Sequence, residues 1–259
     1  MTNLHGAFVW YDIMTSDAEA ARVFYSQVIG WKMEPSQKTD LDYTILFNGK
    51  DRIGGLMPLP EELKTKNVPP HWQGYIAVDD VDAYVKRIKE AGGSVCKEPW
   101  DIPNLGRFAA VADPHGATFI ITHGTGDETP VCVPSAPATP GYVGWNELHA
   151  GEGAAAFAFY EKLFGWTKER ALDMDEMGVY QTFKTNGVQG GGMMTKQPQC
   201  PRPFWLFYFN VDGIDDAIAR AEKNGGKLLM GPHQVPTGQW VAQFFDPQGA
   251  MFAMLSDKR

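Results

Sequence analysis

From Ala7 to Met14 the chain reads AFVWYDIM, an alternating segment rich in aromatic and branched residues that predicts a strand. Beyond Ser16 the period changes. Ala21, Phe24, Tyr25 and Val28 recur at helical spacing and form one apolar stripe, which Gly30 ends. WKMEP, DYTILFNG and RIGGLMP then read as short strands, and the glycine pair in the last marks a bulge or a close backbone approach. The order now returns. GYIAV predicts a strand, Val81, Tyr84, Val85 and Ile88 a helix stopped by Gly92-Gly93, and SVCKEPWDI, RFAAVAD and ATFIITH three further strands. The grammar is β-α-β-β-β, twice over.

The whole pattern is then repeated. A shift of 135 residues pairs Trp10 with Trp145, Phe24-Tyr25 with Phe159-Tyr160 and Gly30-Trp31 with Gly165-Trp166. Ala156, Phe159, Tyr160 and Leu163 repeat the first helical stripe, ended by Gly165. At slightly different offsets GGLM meets GGMM, HWQGYIAVDDVDA meets FWLFYFNVDGIDD, and DPHGA meets DPQGA. Between the copies, residues 124–141 are rich in proline and small polar residues and read as a linker. The expectation is an α+β protein with domains at 1–123 and 142–259. Each would be a pair of βαβββ units forming a curled sheet around a cleft.

Composition narrows the role. With 259 residues, 44% hydrophobic and 21% charged, the chain can bury a real core. A formal charge of −8 argues against nucleic acid or an anionic membrane as partner. No apolar run is long enough to span a bilayer, and the start lacks the layout of a secretory signal. Cys96, Cys132 and Cys200 are scattered, odd in number and in no ligand spacing, which suits a reducing compartment. A cytoplasmic protein with a small-molecule partner is expected, and pairing of units within or between chains, hence a homo-oligomer, stays open.

Paired βαβββ units carrying FYSQVIGW, VDDVDAYVKRIKEAGG and DPHGATFII resemble the vicinal oxygen chelate superfamily, which includes glyoxalase I, bleomycin-resistance proteins and extradiol dioxygenases. VWYDIMTSD followed by GWNELHAGE is similar to its tandem glyoxalase-like bacterial branch. The resemblance implies one divalent metal in the cleft, held by His, Glu or Gln and acting as Lewis acid and template. Its ligand spacing falls on Trp10, Gln73 and Ile120 in the first copy and on Trp145, Leu206 and Ala253 in the second. Only Gln73 offers a usable lone pair, because an indole donates and does not accept. The usual metal site is therefore expected to be missing, and no cofactor is expected unless a displaced set of ligands holds a divalent metal.

Residues two apart on a strand share a face, so Asp12 joins Trp10, and Glu147 and His149 join Trp145. A carboxylate shielded by an indole could act as general acid or base, which makes Asp12, Glu147 and His149 catalytic candidates. As alternatives, Glu147 and His149 could bind an ion with Tyr208 or Asn210, or the two carboxylates could simply accept backbone hydrogen bonds. Trp10, Tyr75, Trp145, Tyr208 and Gln73 are candidates to wall a flat apolar ligand, and Trp31 and Trp166 read as packing anchors. His71 beside Gln73 makes at most a partial metal set, and His115 reads as a solvated turn residue. The leading expectation is a binding module. A lyase or dioxygenase with a displaced metal or acid–base chemistry at Glu147 and Asp12 is the alternative, and an interaction scaffold the second.

Overall fold

Each repeat contributes one eight-stranded mixed sheet in the computed structural model, which describes residues 4–36, 42–124 and 138–259. The first half of repeat one supplies β1 (Phe8–Thr15), α1 (Ala18–Val28), β2 (Lys32–Pro35), β3 (Thr44–Asn48) and β4 (Asp51–Pro58). After a short helix α2 (Glu61–Thr65) come β5 (His71–Ala77), α3 (Val81–Glu90), β6 (Ser94–Ile102), β7 (Gly106–Ala112) and β8 (Thr118–Gly124). Repeat two supplies β9 (Val143–Ala150), α4 (Gly153–Phe164), β10 (Thr167–Asp173), β11 (Val179–Thr185) and β12 (Val188–Thr195). It ends with β13 (Phe204–Asn210), α5 (Ile214–Lys223), β14 (Lys227–Gln234), β15 (Trp240–Phe245) and β16 (Met251–Ser256). The strand orders are β2-β3-β4-β1-β5-β8-β7-β6 and β10-β11-β12-β9-β13-β16-β15-β14, the same order twice. The expected α+β class and the tandem βαβββ layout are what the chain adopts. Residues 125–137 of the expected linker, with Cys132, lie outside the described residues.

Local chemistry starts and stops the helices where the pattern placed them. Asp17 accepts from Ala20 N at 3.0 Å, and Glu152 accepts from Ala154 N and Ala155 N at 2.9 and 2.7 Å, each satisfying donors that helix geometry leaves bare. The amide bonds hold the Glu152 carboxyl below its ordinary range. Gly165 ends α4 at φ 68°, a left-handed cap that a side chain would resist.

The chain divides into two compact units, Met1–Val9 with Gln73–Pro130 and Trp145–Trp205, and Trp10–Trp72 with Val131–Gly144 and Leu206–Arg259. Each unit draws on both repeats. In the second unit the Tyr25 hydroxyl, on α1, donates to Asp246 Oδ2 at 3.0 Å and accepts from Trp72 Nε1 at 2.9 Å. Asp246 Oδ1 meanwhile closes the DPQG turn by accepting from Gln248 N and Ala250 N at 2.9 and 2.8 Å. Trp31 and Trp72 pack on Phe209 of β13, with ring centroids 5.0 and 4.8 Å away. The first unit repeats the arrangement. Tyr160 of α4 accepts from Trp205 at 3.2 Å and faces Asp113, which closes the DPHG turn. Trp31 and Trp166 are 1% exposed, and each donates its indole N–H to a backbone carbonyl, at Gly141 and Gly6. They are packing anchors, as expected.

Candidate functional site

Trp10 and Asp12 share one face of β1, as their spacing requires. Asp12 pairs with Gly55 across the parallel β1–β4 ladder, and Gly55 pairs with Ile45 across the antiparallel β3–β4 ladder. Tyr43 lies two residues before Ile45, on the same side, so its ring crosses over Gly55 to reach Asp12. A Cβ at Gly55 would run into the Tyr43 ring and hydroxyl and come within 2.6 Å of Asp12 Oδ1. A Cβ at Gly54 would instead run into the Tyr11 carbonyl. The glycine pair therefore marks a close approach on both faces, beside a register shift between Leu46 and Phe47.

That approach closes a three-way cluster. Trp10 Nε1 donates to Asp12 Oδ1 and to the Tyr43 oxygen, both at 2.9 Å, while the Tyr43 hydroxyl donates to Asp12 Oδ1 at 2.7 Å. Asp12 is 2% exposed. Burial, then the Asp12 charge, pushes the Tyr43 phenol well above its ordinary pKa, so it stays a donor at neutral pH.

Repeat two builds the same cluster on the first unit. Glu147 pairs with Gly192 across β9–β12, Gly192 pairs with Thr182 across β11–β12, and Tyr180 lies two residues before Thr182. A Cβ at Gly192 would run into the Tyr180 ring. Trp145 Nε1 donates to the Tyr180 oxygen at 2.7 Å, and the Tyr180 hydroxyl donates to Glu147 Oε2 at 2.8 Å. One group is added. His149 Nε2 sits 3.0 Å from Glu147 Oε1, and its ring stacks on Phe204 at 4.5 Å with planes 6° apart. The position that matches His149 in repeat one holds Met14.

Tyr43 and Tyr180 are the two cluster members that the period-two reading of β1 and β9 does not reach. A shift of 137 residues, which also superposes Gly54-Gly55 on Gly191-Gly192, pairs them. The remaining candidates make contacts of their own. Gln73 is buried on β5 and accepts from Thr118 Oγ1 at 3.3 Å. Tyr75, two residues on, pairs with Ile120 and meets Phe108 edge-on at 6.2 Å. Tyr208, buried on β13, accepts from Gln243 Nε2 at 2.8 Å. Asn210 packs its buried side chain against Gly144, His71 Nδ1 contacts the Pro69 carbonyl at 2.8 Å, and His115 is exposed in its turn.

A divalent ion needs converging nitrogen or oxygen lone pairs. The indoles of Trp10 and Trp145 direct N–H groups at their neighbours, and Ile120, Leu206 and Ala253 have nothing to offer. Among the described residues no three His, Cys, Asp or Glu side chains group as a metal-binding set. The residues at these positions do not fit the ion that the resemblance implies.

The sequence model described as the glyoxalase/bleomycin resistance protein/dioxygenase superfamily matches residues 7–121 and 143–254. CFP32 of Mycobacterium bovis, a glyoxylase by provisional name, is 31% identical over 249 residues, covering 95% of this chain and 93% of its own. The anthracycline biosynthesis protein DnrV of Streptomyces peucetius is 29% identical over 264 residues, covering 96% and 93%. Among solved structures, the Mn(II)-bound glyoxalase of Novosphingobium aromaticivorans superposes with a TM-score of 0.65 at 17% identity, over 97% of this chain and 81% of its own. The 2,2',3-trihydroxybiphenyl 1,2-dioxygenase of Sphingomonas wittichii does so at 0.66 and 14%, over 96% and 89%. Both share the fold.

Proposed function

The chain belongs to the glyoxalase/bleomycin resistance protein/dioxygenase superfamily, and on that ground we propose that it binds a small flat molecule without a chelated metal ion. One observation carries this reading: indoles occupy both opening ligand positions, and each is tied into a hydrogen-bonded cluster with a carboxylate and a tyrosine. Such a cluster fixes the indole's orientation and leaves it as a rigid wall against which a ring can lie. In this reading Trp10 and Tyr208 supply apolar surface in one unit, and Trp145 and Tyr75 supply it in the other, with Gln73 as a polar contact there. The relative named for anthracycline biosynthesis is in keeping with a ligand of fused rings.

A second reading is a lyase or dioxygenase-type enzyme using Glu147, His149 and Asp12 for proton transfer. The 3.0 Å contact between Glu147 and His149 favours it.

Titration of metal-free protein with naphthalene derivatives, followed by tryptophan fluorescence, tests the first reading. Saturable quenching that survives chelator and is weakened in Trp10→Ala and Trp145→Ala is the expected result. A stoichiometric divalent ion, without which ligand neither binds nor turns over, overturns it. Failure of every aromatic to bind or stabilise the protein leaves the scaffold role.

A further inference from the structure

The second cluster holds a group that the first lacks, and that group has a nitrogen without a hydrogen-bond partner among the described residues. Glu147 accepts from Tyr180 at Oε2, since the tyrosine oxygen already receives the Trp145 N–H and must point its own proton onward. With Oε1 it meets His149 Nε2 at 3.0 Å. A neutral imidazole facing an ionised Glu147 carries its proton on Nε2, which leaves Nδ1 with a bare lone pair. His149 Nδ1 is buried and has no hydrogen-bond partner among the described residues. A buried acceptor left bare is costly, and a ligand that brings a donor to it removes that cost.

We propose that His149 Nδ1 is the receptor for an acidic O–H group, a phenol or enol, on the flat ligand. This rests on the ligand-binding reading above and assigns the ligand's chemistry. The stacked Phe204 fixes the imidazole plane, Glu147 fixes its tautomer, and Tyr180 and Trp145 fix Glu147 in turn. A carboxylate behind a histidine also stabilises the imidazolium once a proton arrives. The ligand's O–H bond breaks, its electron pair stays on oxygen, and an N–H bond forms at Nδ1. Nothing is oxidised and no second reactant is consumed. Met14 stands at the corresponding place in repeat one, and a thioether cannot take the proton, so this recognition belongs to repeat two alone.

Nitrophenols and nitronaphthols report the step directly, because their anions absorb at longer wavelength than the neutral forms. The full chain is titrated at a pH where the free probe is protonated, beside the corresponding methyl ethers. The bound probe is expected to show the anion spectrum and to bind about tenfold or more tightly than its ether, the scale of a charge-assisted hydrogen bond. His149→Phe, which keeps a ring against Phe204, should abolish the spectral shift and level the two affinities. Glu147→Gln should reduce the anion fraction of the bound probe.

If the ethers bind and the bound phenols stay protonated, ligand binding stands and this inference falls. If neither class binds, both fall. An anion spectrum that persists in both variants also refutes the role of His149.

Discussion

A single methyl group separates the two jobs of the glycine pair. In Gly54→Ala the new Cβ meets the Tyr11 carbonyl, which is backbone within a strand and cannot step aside. Overpacking of that kind costs about 1–3 kcal/mol, so Gly54→Ala is expected to lower the urea midpoint while leaving Trp10, Asp12 and Tyr43 in contact. In Gly55→Ala the obstacle is the Tyr43 ring, which can swing away only by giving up its bonds to Asp12 and Trp10. Its effect should fall on ligand affinity. Wild-type quenching in Gly55→Ala would remove the cluster from the binding site. The Trp10–Asp12 and Trp145–Glu147–His149 rows are readable from sequence because a strand alternates with period two. Tyr43 and Tyr180 are not, since their approach depends on the register of the β3–β4 and β11–β12 hairpins, which the hydrophobic pattern leaves open.

At the scale of elements, the repeated FY pair is readable as a helix stripe, but its partner is not. Self-similarity shows that Tyr25 and Tyr160 have equivalent surroundings. It does not say that each meets the DPxG turn of the other copy, as the Tyr25–Asp246 bond and the Tyr160–Asp113 approach do. Helix α2 is not legible in the pattern, because EELKT has no apolar periodicity; its support is local, from Glu61 and Glu62 in the first turn and the Lys64–Glu61 ion pair. The turn aspartate carries a pH signature. Burial, the largest influence on it, raises the Asp246 pKa in the folded state above the ordinary 3.8, although bonds from Ala250, Tyr25 and Gln248 oppose the rise. The folded state thus holds this proton more tightly than the unfolded one. The associated stability is full below 3.8, declines as pH rises through the raised folded value, and is constant above it. Stability of wild type relative to Asp246→Asn, from urea melts across that window, should therefore fall with rising pH and then level off. A difference independent of pH would show that Asp246 does not titrate this way.

For the whole molecule, the crossed contacts make each repeat dependent on the other. Residues 1–123 alone would keep the first eight strands, yet Tyr25 would lose Asp246, Trp31 would lose Phe209 and Gly141, and Phe24 would lose Phe252. Tyr84 would lose its bond to the Leu163 carbonyl, and Phe119 its contacts with Tyr160 and Phe164. These rings are buried in the intact chain. Exposing them together creates an apolar face far larger than a soluble monomer usually carries. The isolated repeat is expected to form a homodimer, in which a second copy supplies the missing DPxG turn, or to aggregate. Co-expressed fragments 1–130 and 138–259 should instead associate one to one and recover the intact chain's near-ultraviolet circular dichroism. Size-exclusion chromatography and thermal melts distinguish these outcomes. A monomeric first repeat that unfolds cooperatively near the temperature of the full chain would mean that the crossed aromatic contacts add little, and that duplication serves only to double the tryptophan–carboxylate–tyrosine clusters. Assembly from co-expressed halves would instead make the duplication a requirement of folding, with the two clusters free to diverge, as Met14 and His149 have done, without loss of the frame that holds them.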